Sequence, residues 1–280
     1  MHTQGEKIPL EIQVDYSGYS NIVIELHDDG VLLATLNRPE RLNALDADLL
    51  AEISQLCLML ADDTAVKVVV ITGAGQAFSV GGDIDLIGQF NEDLEQSVES
   101  SVHYTTVLRR LMDLNKPVIA AVNGDILGGG LGLALMCDVI FMAREARLMC
   151  ASQLQINALP APDVFLWPAL GVSAAKAKYH LFQSSIIDAA EADQIGLVSA
   201  VTDAASLMEE ALDYAHQLAT RDPLMLSWTK RAVSYNLRSA SPLLDEWLAL
   251  EALSFGRDSV KDGLTNMRKV IGREPGDDHR

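Results

Sequence analysis

Two glycine-rich stretches carry the residues whose types and spacing could do chemistry. One runs from Pro117 to Asp138. In it Val118 to Val122 is a short apolar run with β-branched residues, closed by Asn123-Gly124, as expected of a buried strand ending in a turn. Gly128, Gly129 and Gly130 follow, and then an apolar run that reads as a buried helix. A strand, a glycine turn and a helix N-terminus together can bind an anion or oxyanion. The first helical N–H groups have no partner within the helix, and a backbone without side chains lets a ligand approach closely. The same triplet would also serve a turn kept only for tight packing. The other, which comes first along the chain, is the strand Val66 to Thr72, then Gly73-Ala74-Gly75, then Phe78-Ser79-Val80-Gly81-Gly82-Asp83. Two such turns converging on one carbonyl oxygen would form an oxyanion hole.

The elements that must position these turns follow from hydrophobic periodicity and turn signals. Asn21 to Leu26 and Val31 to Leu36 read as a hairpin about Asp28-Asp29-Gly30. Asp46 is placed to N-cap a helix reaching about Ala61, with Leu49, Leu50, Ile53, Leu56, Cys57 and Leu60 on one face. Asp83 to Phe90 predicts a helical turn, the acidic segment Asn91 to Ser101 a mobile loop, and Ser101 to Leu114 an amphipathic helix ending before Lys116-Pro117. Val139 to Ala143 and Ala146 to Cys150 predict strands, and 151–170, with three prolines, an irregular segment. Helices over 173–183 and 189–195 and a strand over Leu197–Val201 precede a wholly helical tail at 204–220, 223–237, 241–255 and 258–270. Strands alternating with helices predict an α/β fold with a parallel sheet. The chain divides into a loose N-terminal arm (1–20), a core (21–203) and the helical region (204–280).

Composition bounds the function. The 280 residues suffice for a large core, and 49% hydrophobic with 21% charged residues is ordinary for a globular protein. A net charge of −18 argues against nucleic acid or an anionic membrane surface as partner. A polyanionic ligand would need a local basic cluster. Cys57, Cys137 and Cys150 lie in apolar surroundings without CxxC spacing, which predicts buried reduced thiols and a cytoplasmic location. The N-terminus has no apolar signal core, and no apolar run reaches about 18 residues, so neither a signal peptide nor a membrane span is expected. No His/Cys/Asp cluster has metal-ligand spacing.

These motifs, taken in order, resemble the crotonase superfamily, the enoyl-CoA hydratase/isomerase family. The resemblance rests on Asn37-Arg38-Pro39-Glu40 with Asn43-Ala44-Leu45, on Thr72-Gly73, and on Ala77-Phe78-Ser79-Val80-Gly81-Gly82-Asp83. It also rests on Lys116 to Gly124, Gly128-Gly129-Gly130, Cys137-Asp138, Glu191-Ala192 and Gly196-Leu197-Val198. It spans about Asn21 to Gly263 and implies a ββα spiral core, with the C-terminal helices building a homotrimer or a dimer of trimers. It also implies an acyl-CoA substrate, with coenzyme A as part of the substrate and no separate cofactor, and the Val80 and Gly129 N–H groups as the oxyanion hole for its thioester carbonyl.

The resemblance implies site residues position by position. Family hydratases use two glutamates. Their positions here fall at Gly132 and at or beside Ser152, and neither residue can activate water or give up a proton. Asp163, before Trp167-Pro168, sits near a loop where several family members place an active-site aspartate, with a helix cap as the alternative. His103 and Tyr104 lie on a helix that borders the acyl pocket in the family; a lone His there also suits a structural role. Asp83 is expected to hold the first glycine turn, and Asp125 to cap a turn. Substrate contacts are expected from Arg38, Ala77, Phe78, Gly81, Gly128 and Trp167, and from Lys230 and Phe255, which match positions that close the site from a neighbouring subunit. Three functions compete: an acyl-CoA lyase or isomerase that stabilises an enolate and moves its proton with Asp163 and His103; a carbon–carbon hydrolase of a β-diketone, a small carbonyl substrate; and a non-catalytic acyl-CoA binder.

Overall fold

The computed structural model describes residues 14–271, and side chains through 266. The expected arm at 1–20 lies mostly outside the described residues. Its described end is tied down: the Tyr16 hydroxyl donates to Asp63 at 2.7 Å, and the Ser20 and Asn21 N–H groups donate to Glu52 at 3.0 and 2.8 Å.

The chain begins with the expected hairpin of β1 (Ile22–Leu26) and β2 (Val31–Leu36). Helix α1 (Ala47–Asp62) follows, with the Asp46 carboxylate accepting from the Leu49 N–H at 3.0 Å. Such a cap contributes about 1 kcal/mol. The apolar face read from the sequence is the buried one. Three successive passes then each lay down two strands: β3 (Val68–Gly73) and β4 (Ala77–Ser79), β5 (Val118–Val122) and β6 (Asp125–Leu127), β7 (Val139–Ala143) and β8 (Arg147–Met149). The first strand of each pair joins a six-stranded sheet, β1-β2-β3-β5-β7-β10. The second joins a four-stranded one, β4-β6-β8-β9. Between passes lie α2 (Ile84–Glu92), α3 (Leu94–Asp113) and α4 (Gly128–Leu135). This is the expected ββα spiral. The three-residue strands β4, β6 and β9 (Ile186–Asp188) carry too little periodicity to be read from sequence.

Two expected irregular segments are ordered. The loop predicted over 91–101 is the end of α2 and the first part of α3: Asp93 caps α3, accepting from the Glu95 and Gln96 N–H groups, and Ser97 is buried against the Ala252 carbonyl. Asp93 interrupts the helical run for a single residue, whereas polarity over the whole segment suggested a loop. The proline-containing segment 151–170 forms a 3₁₀ turn (Ser152–Ile156) and α5 (Ala161–Ala169). Pro162 sits in the first turn of α5, where a missing N–H costs nothing, and Pro168 near its end.

The remaining elements are α6 (Ala174–Gln183), α7 (Ala189–Gln194), β10 (Ala200–Thr202), α8 (Leu207–Ala219), α9 (Pro223–Val233), α10 (Tyr235–Ala240), α11 (Pro242–Phe255) and α12 (Asp258–Ile271). The helix expected over 223–237 is broken at Ser234. Leu207, Ala211, Ala215 and Ala219 of α8 pack into the same core as the large sheet. A second, smaller core holds Phe90, Ile156, Ala158, Phe255, Val260 and Leu264. It joins α2, the 3₁₀ turn, α11 and α12 into a cap over the two glycine turns.

Candidate active site

The two glycine turns meet. Gly81 has φ +76°, and a Cβ placed on it would lie 2.7 Å from the Gly129 nitrogen and 2.9 Å from the Leu127 carbonyl oxygen. Only glycine permits both that backbone conformation and that approach. The first turn is held from beneath by Asn43, a fully buried residue whose role the sequence reading missed. Its side chain accepts from the Arg38 N–H at 2.9 Å and donates to the Ala74 and Ala77 carbonyls, each at 2.9 Å. The Ser79 hydroxyl donates to the Asn43 carbonyl at 2.7 Å. The second turn opens α4, so its N–H groups lie where a helix has no internal acceptor. The Val80 N–H donates to the Leu42 carbonyl at 3.2 Å, a long bond that a stronger acceptor could share.

A cavity of about 480 Å³ opens over this junction. Val80, Gly128, Gly129, Asp83, Ser152 and Phe255 line it, as expected from the sequence. Its walls are otherwise mainly aliphatic and aromatic. Asp83, expected to hold the first turn, N-caps α2, accepting from the Asp85 N–H at 3.0 Å, and pairs with Arg41 at 3.3 Å. Phe255 arrives from this chain's own α11, not from a neighbour.

Several expected site residues stand elsewhere. Arg38 is turned inward: its guanidinium pairs with Asp46 at 2.5 Å and donates to the Ala44 carbonyl, leaving Arg41 as the cation on the cavity wall. Ala77 and Phe78 are buried in the core behind the turn, and Gly81 contacts the second turn without lining the cavity. His103 is on the exposed side of α3, and the adjacent Tyr104 faces the cavity instead, because consecutive helical residues point about 100° apart. Trp167 is fully buried and off the cavity. Lys230 is also off it, bonded within its own chain to Asp138 at 2.8 Å and to the Lys116 carbonyl at 3.0 Å. Asp125 neither caps a turn nor reaches the cavity: it pairs across strands with Arg147 at 2.5 Å. Asp163 is fully buried behind Pro162, which is the residue that lines the wall. One Asp163 oxygen accepts from the Ala151 N–H at 2.6 Å and the other has no partner, and burial raises this carboxyl to about 7.

The family resemblance puts its two glutamate positions at Gly132 and at or beside Ser152, and the surroundings of Gly132 leave no room for a carboxylate. A Cβ on Gly132 would lie 2.2 Å from the Tyr104 hydroxyl, which donates to the Gly129 carbonyl at 2.7 Å. The phenol fills the space a longer side chain would need. Restoring the carboxylate alone, as Gly132→Glu, is therefore expected to overpack the site, to destabilise the protein by about 1–3 kcal/mol in urea unfolding, and to yield no hydration.

Besides Asp83, a second carboxyl group lines the cavity, Glu251 of α11, which the sequence reading did not single out. Its side chain accepts from Gln153 Nε2 at 3.1 Å, and burial raises it to about 8. Its isolation within a helical tail carries no local motif, so only the packing of α11 reveals it. Among the described residues no group of His, Cys, Asp and Glu could hold a metal ion. No helix among them is long and apolar enough to cross a membrane.

Comparison with known proteins agrees with this geometry. The family model for enoyl-CoA hydratase/isomerase matches residues 27–265. The chain is 31% identical over 269 residues to a short-chain-enoyl-CoA hydratase of Clostridium acetobutylicum, covering 90% of this chain and 97% of that one. It is 35% identical over 213 residues to the 2,3-dehydroadipyl-CoA hydratase of Escherichia coli, covering 72% and 78%. A solved enoyl-CoA hydratase/isomerase from Mycobacterium paratuberculosis aligns with a TM-score of 0.82 at 28% identity, over 90% of this chain and all of that one. A monofunctional enoyl CoA isomerase from M. smegmatis aligns with a TM-score of 0.66 at 32% identity, over 81% and 98%. With its spiral of paired strands and its two apposed glycine turns, the chain belongs to the enoyl-CoA hydratase/isomerase family.

Proposed function

We propose that this protein binds an acyl-CoA thioester and stabilises its enolate, moving a proton on carbon in the manner of an isomerase rather than adding water by the two-glutamate route. The observation that carries this reading is the contact of the Gly81 and Gly129 turns beneath a largely apolar cavity. The Val80 and Gly129 N–H groups would donate to the thioester oxygen between them, and charge developing on it would be met by fixed dipoles in a water-poor site. Glycine and serine at the two glutamate positions leave no pair of carboxylates to activate water. Arg41, on the cavity wall, is placed for the polar end of the ligand. The aliphatic wall suits an acyl chain. Exposed Leu224, Trp228, Val233 and Tyr235 on α9 and α10 support a homotrimer or a dimer of trimers, and three free, buried cysteines suit a reducing cytoplasm.

Calorimetry with acyl-CoA thioesters of increasing chain length, with free coenzyme A as control, tests the reading together with mass-spectrometric deuterium uptake from solvent at the carbon next to the thioester. Binding that tightens with chain length and is accompanied by uptake is the expected result. Binding without uptake would make the protein a carrier. Absence of binding, with cleavage of a 1,3-diketone, would make it a carbon–carbon hydrolase.

A further inference from the structure

We propose that Glu251, brought in by α11 of the helical tail, is the group that transfers the proton in this site. The inference rests on the enolate reading above.

The geometry carries it. Glu251 is 6% exposed and lines the same cavity as Val80 and Gly129. One hydrogen bond links it to the loop that follows β8, where the second family glutamate would stand, and another continues within that loop. Gln153 Nε2 donates to its carboxyl at 3.1 Å, and the Ser152 hydroxyl donates to Gln153 Oε1 at 3.2 Å. Those two side chains flank the second glycine turn: a Cβ on Gly128 would lie 3.2 Å from the Ser152 hydroxyl and 3.8 Å from Gln153 Nε2. The carboxyl of Glu251 therefore stands one amide away from the proposed oxyanion site.

The helix that delivers Glu251 is held firmly at points along its length. Arg109 of α3 pairs with Asp245 at 2.5 Å, Ser97 donates to the Ala252 carbonyl at 3.2 Å, the Leu159 N–H donates to Ser254 at 3.0 Å, and Asn91 donates to the Phe255 carbonyl at 2.7 Å. A surface glutamate needs no such support. A buried carboxyl without a cationic partner is costly unless its neutral form is the resting one, and burial does hold this carboxyl up to about 8, with nearby Asp163 adding to the rise and Gln153 opposing it. Such a value lies near the working range of a general acid or base.

The step balances on this residue alone. The ionised carboxylate takes a proton from the carbon next to the thioester. The C–H bond breaks, its electron pair moves into the carbonyl, and the enolate oxygen rests on the Val80 and Gly129 N–H groups. An O–H bond forms on Glu251. When the Glu251 O–H first exchanges with solvent, return of the solvent-derived proton to the same carbon gives isotope exchange; return two carbons further along an enoyl chain moves the double bond.

The test compares wild type, Glu251→Gln and Glu251→Asp in thioester binding and in deuterium uptake from pH 6 to pH 9.5. The groups facing Glu251 that could also titrate are Asp163 and Tyr104. Asp163→Asn is therefore measured in parallel, to separate an Asp163 titration from that of Glu251. The wild-type rate of uptake is expected to rise with pH and level off above about 8, because the ionised form is the base. Glu251→Gln, nearly isosteric, is expected to bind thioester within about threefold of wild type, to lose uptake by 100-fold or more, and to lose the pH dependence. Glu251→Asp is expected to recover part of the rate. Wild-type uptake with an unchanged pH profile in Glu251→Gln would overturn the proposal. Thioester binding without uptake in the wild-type protein would overturn it too while leaving thioester recognition standing, and no binding at all would remove the enolate reading with it.

Discussion

Gly81→Ala is expected to lower turnover of a thioester substrate by about 10²–10³-fold, the loss that follows from disabling one oxyanion donor, while the protein still folds. The added methyl would lie 2.7 Å from the Gly129 nitrogen, closer than a real Cβ contact allows, and the position has φ +76°. The two turns must separate, so the Val80 and Gly129 N–H groups no longer aim at one point. Backbone strain alone would cost about 1–2 kcal/mol, and Gly171→Ala provides the control for it. Gly171 has φ +98° with no atom within 4 Å of the added methyl, so it carries similar strain without touching the site. Steady-state kinetics and thermal melts of both variants separate the two effects. Equal turnover in Gly81→Ala and wild type would refute the oxyanion assignment.

Lys230→Ala is expected to destabilise the protein by about 3–5 kcal/mol in urea unfolding, with KM for a thioester unchanged. The Lys230 side chain is 5% exposed and its ammonium lies 2.8 Å from Asp138, which also accepts from the Val118 N–H at 2.8 Å. Burial raises the Asp138 carboxyl, and the Lys230 charge opposes that rise. Removing the lysine leaves an uncompensated carboxylate at the start of β5, the core strand that precedes β6 and the second glycine turn. A raised KM with unchanged stability would instead return Lys230 to the substrate, as the family resemblance had suggested.

The sequence by itself determined the spiral and its two turns. Strand runs of β-branched residues ending in glycine are local signals, and their order and spacing matched the family from Asn37 to Val198. The oxyanion candidates were legible for the same reason, since a backbone site is written in glycines. The proposed replacement of both family glutamates also comes from the sequence, because it depends only on which residue stands where.

Only the tertiary structure decided which side chains enter the cavity. His103 and Tyr104 are adjacent in sequence, yet the helix turns one outward and the other onto Gly129. Asp163 and Trp167 share α5, and both fall behind its cavity-facing residue Pro162. Lys230 and Glu251 are two charged residues of one helical tail. Packing sends the first to an internal ion pair and the second to the cavity wall. A hydrophobic period says which face of a helix is buried, but burial against the core and burial against a ligand cavity leave the same pattern in sequence. What separates them is the position of α11 across α3 and the glycine turns, which long-range contacts such as Arg109 to Asp245 and Ser97 to Ala252 set.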